Sequence, residues 1–192
     1  NYVIRVYSIV TLSSTMEIRF FYDTKSVQKS VDILRPFASH VPVSMRFRYP
    51  EKLLEGGDIA SAVLKADEDA YNPSKMRDAL AHLWEEKKNV VLDSLMVYCE
   101  RNNLSLYEEY FCALTFYGPY GFYELPDTVF LNVAMEKDAD FLFETMLHEL
   151  LHIVLGNQLE SMEYMDREKL VDDTFVEIWG SEFPLYEKQF PE

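Results

Sequence analysis

The chain has 192 residues, a net charge of −15, 48% apolar residues, six glycines and eight prolines. That length suits one domain of roughly 100–200 residues, the composition excludes disorder and collagen-like repeats, and the negative charge excludes a surface built to grip nucleic-acid phosphates. The charge is lopsided, with a net +4 over residues 1–50 and a net −19 over the remaining 142.

No apolar run approaches the roughly 18–20 residues of a membrane span, so no membrane segment is expected. The chain starts at Asn1 rather than Met, which leaves open both a cytoplasmic location and secretion after loss of an N-terminal segment. Cys99 and Cys112 are too few for a disulfide scaffold and settle neither the compartment nor whether they pair. The sequence also leaves the oligomeric state open.

Val3–Leu12 and Met16–Tyr22 are rich in β-branched and aromatic residues and read as two strands joined at Ser13-Ser14-Thr15. Ser26–Phe37 places Val27, Val31, Leu34 and Phe37 at helical spacing, with Pro36 near its stop. Ser44–Tyr49 alternates Met45, Phe47 and Tyr49 with Arg46 and Arg48, as a half-buried strand does. Past Gly56-Gly57 the chain turns helical. Asn72-Pro73 marks a helix start, and Met76, Leu80, Trp84, Val91, Leu95 and Cys99 continue one long amphipathic helix to about Asn102.

Phe111–Phe116 and Thr128–Val133 are strand-like, with turn material at Gly118–Gly121 and Leu125–Asp127 between them. The order strands, helices, strands, helices predicts an α+β fold in a single domain over 1–192. Within it, 1–50 is the strand-rich part, 72–103 a long backing helix and 111–180 the part that carries chemistry.

From Asp138 the pattern is helical again, and Phe141–Leu155 is apolar nearly all round. Set into it is His148-Glu149-Leu150-Leu151-His152, an HExxH motif. Residues four apart share a helix face one turn apart, so both imidazoles reach a single zinc ion, and Glu149 falls beside a water-filled coordination position where it serves as general base. A glutamate inside an apolar helix is costly to bury unless a metal and its water partner it.

Catalytic zinc takes three protein ligands and keeps one position open. A metzincin needs glycine and histidine where this chain has Leu155 and Gln158, and no histidine follows His152. The third ligand is therefore expected to be a carboxylate. Beyond a helix stop at Gly156-Asn157, Asp166–Trp179 reads as a second helix, and Glu168 and Asp172 fall on its apolar stripe with Val171, Phe175 and Trp179. An inward carboxylate requires a cation or several donors, which makes Glu168 the expected third ligand and Asp172 the group that orients a zinc histidine. A shift in helix phase puts Asp173 or Glu177 there instead.

His148–His152 followed by Glu168-Lys169-Leu170-Val171-Asp172 resembles the HExxH…ExxxD pattern of gluzincins, the thermolysin-like zinc metallopeptidases. The resemblance covers the last third of the chain and implies Glu168 as zinc ligand and Asp172 as support for a histidine. One departure is the link of fifteen residues from His152 to Glu168, shorter than is usual for gluzincins. The resemblance also implies a zincin-like small mixed sheet, with an edge-strand hairpin matching Phe111–Val133 that packs on the active-site helix and pairs with a peptide or protein substrate. Tyr117, Tyr120, Phe122 and Tyr123 are the aromatic candidates to line that cleft, with Tyr120 the candidate oxyanion donor. His40 and His82 have no metal-like spacing. A second reading is a catalytically silent, zincin-like module that holds metal and captures peptides or a partner protein.

Overall fold

A computed structural model of the chain describes residues 16–38, 61–135 and 137–188. The strands expected at Val3–Leu12 and Ser44–Tyr49, and His40, lie outside the described residues. β1 (Glu17–Phe21) falls within the expected run. It leads into α1 (Thr24–Ala38), opened by the Asp23 carboxylate accepting from the Ser26 N–H at 2.7 Å and ended two residues after Pro36.

α2 (Ser61–Tyr71) and α3 (Pro73–Asn102) meet at Asn72. Its left-handed backbone, φ 45°, turns the corner, and its side chain caps α3 by accepting from the Lys75 N–H at 3.1 Å. The stripe Leu80, Trp84, Val91, Leu95 and Cys99 is buried, which is why this 30-residue helix backs the rest of the fold.

Among the described residues the sheet has four strands in the order β1-β2-β4-β3, comprising β2 (Glu109–Thr115), β3 (Gly121–Glu124) and β4 (Thr128–Asn132) besides β1. The hairpin within Phe111–Val133 is narrower than that stretch and consists of β3 and β4 alone. Phe111 pairs with Thr128 and Thr115 with Asn132 in parallel, and the antiparallel partner of β4 is β3, with Gly121 opposite Leu131 and Glu124 opposite Thr128. β2 and β4 are almost continuously buried, as strands in the middle of a covered sheet are, so they read clearly in sequence. β3 is four half-buried residues, too short to show a period, and in sequence only its first residue, Gly121, carries a signal, that of a turn.

α4 (Ala139–Val154) carries the HExxH motif and is capped by the Asp138 carboxylate, which accepts from the Phe141 N–H at 2.9 Å. It packs on β3 and β4, on α3, and on α6 (Tyr164–Trp179). The expected helix stop falls at Leu155, followed by the single turn α5 (Gly156–Leu159), and this gives the short link between the two site helices its compact form. Trp179 locks α6 to α3 by donating its indole N–H to the Val91 carbonyl at 3.1 Å, and Tyr98 meets Thr174 at 3.4 Å.

The fold is mixed α+β with a small mixed sheet. Both cysteines are buried and unpaired, and burial pushes the Cys99 thiol up to about 11, which leaves it inert. Among the described residues no helix is long and apolar enough to cross a membrane.

Candidate metal centre

α4 presents His148 and His152 one turn apart, and α6 crosses it so that Glu168 enters from the other side. All three side chains are buried. His148 Nε2 and His152 Nε2 stand 3.2 Å apart, and Glu168 Oε2 is 3.3 Å from each. Bonds of about 2.0–2.1 Å at tetrahedral angles place neighbouring donor atoms about 3.3–3.4 Å apart, so this triangle has the size of one face of a tetrahedral zinc site. Two neutral imidazole lone pairs and a carboxylate oxygen at this spacing repel one another unless a cation lies among them.

In the chain itself a proton does part of that work. Burial lowers the pKa of His148, but its contacts with Asp172 and Glu168 outweigh burial and hold it up to about 9. Burial likewise works to raise Glu168, yet the two histidines hold its carboxyl down to about 2. A metal ion binding here displaces that proton.

The second face of each histidine is held differently. His148 Nδ1 meets the Tyr186 hydroxyl at 2.7 Å, and that hydroxyl donates to Asp172 Oδ1 at 2.6 Å. Asp172 Oδ1 itself is 3.5 Å from His148 Nδ1. Asp172, the residue the sequence marks as orienting a zinc histidine, thus stands within reach of His148 Nδ1, with the Tyr186 hydroxyl as the nearer partner. His152 Nδ1 is buried and makes no hydrogen bond with a described residue, and its ring lies flat against Tyr123, with centroids 4.9 Å apart and planes 11° apart.

Glu149 sits beside the triangle without joining it and is only 6% exposed. Burial raises its pKa, partly offset by the two histidines. The triangle and Glu149 form the floor of a cleft of about 960 Å³, walled by the segment from Pro119 to Tyr123 and rimmed by Leu185 to Lys188.

Tyr120, Phe122 and Tyr123 line this cleft. Tyr120 packs edge-on against Phe141 at 5.0 Å and is 37% exposed, while Phe122 stacks on Phe130 at 4.7 Å. Tyr117 does not line it: it is fully buried, and its hydroxyl donates to Asp67 of α2 at 2.8 Å, a partner 50 residues away that the sequence gives no means of pairing with it. Asp173 and Glu177, the out-of-phase alternatives for third ligand, are exposed, and Asp173 pairs with Lys188. His82 is also exposed.

Among the cleft residues that the sequence reading did not single out are two tyrosines. Tyr164 carries a period-four signal, one turn before Glu168 on the same helix. Tyr186 lies in coil after α6, where no periodicity marks it. Comparison of the chain with family models, curated proteins and solved structures finds no match.

Proposed function

We propose that the protein is a zinc-dependent metallopeptidase of gluzincin type, with His148, His152 and Glu168 as metal ligands and Glu149 as general base. The observation that carries this reading is the convergence of three ligand atoms at 3.2–3.3 Å beside a buried carboxylate that is not one of them. A purely structural zinc site closes its coordination with protein ligands and has no use for such a group.

A bound zinc ion supplies Lewis acidity, lowering the pKa of water toward neutrality and polarising a carbonyl. Glu149 takes a proton from the attacking water and passes it to the departing amine as the peptide bond breaks. Tyr186 and Tyr123 keep the two imidazoles in place while this happens.

The antiparallel edge strand β3 against α4 favours a zincin-like reading of the fold, and its outer edge, unpaired among the described residues, suits an extended peptide bound through main-chain hydrogen bonds. Tyr120, on the same wall, is the proposed oxyanion donor. The test is a mixed peptide library digested by zinc-loaded wild type and Glu149→Gln. The variant is expected to keep zinc and to lose cleavage by about 100-fold or more. Equal cleavage by both contradicts the mechanism, and zinc binding without cleavage by the wild type leaves the silent peptide-capturing module.

A further inference from the structure

We propose that Tyr186 is a positioning residue of the metal centre, its hydroxyl fixing the His148 tautomer that offers Nε2 to the ion. The inference rests on the metal-site reading above and deepens it, because it makes metal affinity depend on a residue outside both motifs.

The direction of each hydrogen bond follows from the chemistry of the groups. Asp172 is completely buried, and its carboxylate accepts only. The Tyr186 hydroxyl has one proton and gives it to Asp172 Oδ1 at 2.6 Å. Its oxygen then turns lone pairs toward His148 Nδ1, 2.7 Å away, so that nitrogen must be the donor. A histidine that keeps its proton on Nδ1 presents a lone pair on Nε2, the atom that faces His152 and Glu168. With Asp172 at 3.5 Å from Nδ1, the tyrosine is the closer partner and transmits the carboxylate's pull to the ring.

The hydroxyl is placed by packing and not by chance of a loose tail. The Tyr186 ring stacks on Phe175 of α6 at 3.7 Å with planes 12° apart. Three residues earlier Phe183 is buried against Phe143 and Phe175, with centroids at 6.1 Å and 5.9 Å. The strap that follows α6 is thus seated on the same two helices that bring the ligands, one of them through the residue that follows Asp172 by nearly one turn.

Zinc affinity of the full chain, read by competition with a chromophoric chelator, tests this with Tyr186→Phe, Asp172→Asn and the double variant. Tyr186→Phe keeps the stack on Phe175 and is expected to weaken zinc binding roughly 10–100-fold. The double variant should bind no more weakly than the weaker single one, since both act through one chain of bonds. In the zinc-loaded wild type the His148 Nδ1 proton should give a protected, downfield signal in ¹H–¹⁵N spectra that shows contacts to the Tyr186 ring. That signal should move upfield in Tyr186→Phe, which a purely structural role does not require.

Equal zinc affinity in wild type and Tyr186→Phe overturns the inference alone, as do additive losses in the double variant. A wild type that binds no zinc overturns the metal-site reading and the inference with it. If Tyr186→Phe unfolds early, the wild-type Nδ1 signal decides by being present with its Tyr186 contacts or absent.

Discussion

Gly121 of β3 lies so close to Glu149 of α4 that a Cβ at position 121 would meet the Glu149 Cγ at 2.9 Å and the Thr145 Cγ2 at 2.6 Å. Ordinary contacts of this kind begin near 3.4 Å, so any other residue forces the edge strand away from α4, by about half an ångström at Glu149 and more at Thr145. The glycine is what lets the strand that would bind substrate and the group that would move the proton share one wall. Gly121→Ala is expected to lower kcat by about 10-fold or more, toward the roughly 100-fold cost of a full 1 Å displacement. It should leave zinc affinity unchanged, because the clash falls on Thr145 and Glu149 and not on a ligand. Steady-state kinetics with a zinc titration checks both halves.

The assignment of the third ligand has a control built into α6. Glu168 is buried and Asp173 and Glu177 are exposed, one pointing at the histidines and two at solvent. Glu168→Gln should lower zinc affinity by at least about 100-fold, whereas Asp173→Asn and Glu177→Gln should bind zinc as the wild type does. Loss of zinc in Asp173→Asn or Glu177→Gln with retention in Glu168→Gln reverses the assignment.

His152 has no hydrogen bond at Nδ1 from the described residues, so the flat contact with Tyr123 carries its orientation. An aromatic contact of this kind contributes about 0.5–1.5 kcal/mol beyond the area it covers. Tyr123→Leu should therefore weaken zinc binding about 2- to 12-fold, less than Tyr186→Phe at its upper range, measured by the same chelator competition. No change would mean that backbone packing of α4 alone orients the ring.

The negative charge, first useful only against nucleic acid, gathers at the site: residues 136–177 carry twelve acids and three bases. Asp140 and Glu144 precede His148 and His152 at four-residue steps on the cleft face of α4, joined by Asp138 and, from the strap, Glu187. Burial, then Asp140 and Asp138, raises the pKa of Glu144. Peptides with lysine or arginine should show kcat/KM several-fold above acidic ones at about 0.01 M salt, with the gap closing toward about 0.15 M. Equal values at low salt would contradict this.

What could be read from sequence followed from period and cost. His148, Glu149 and His152 stand out because a helix repeats every 3.6 residues, and Glu168 because an acid on an apolar stripe demands a partner. β3 and Tyr186 have no such signature. The strand is shorter than a detectable alternation, and the tyrosine reaches the site through coil, placed by stacking on Phe175. Tyr117 shows the reverse error, an aromatic beside glycine turns that resembles a cleft residue until Asp67 is seen to hold its hydroxyl in the core.

The central claim is that this chain holds one zinc ion between α4 and α6. The most direct measurement is metal content per chain after zinc loading and desalting, for wild type and for the double variant His148→Ala/His152→Ala. The account predicts about one zinc per wild-type chain and none in the double variant. A wild-type ratio near zero, or an ion retained without both histidines, would contradict it.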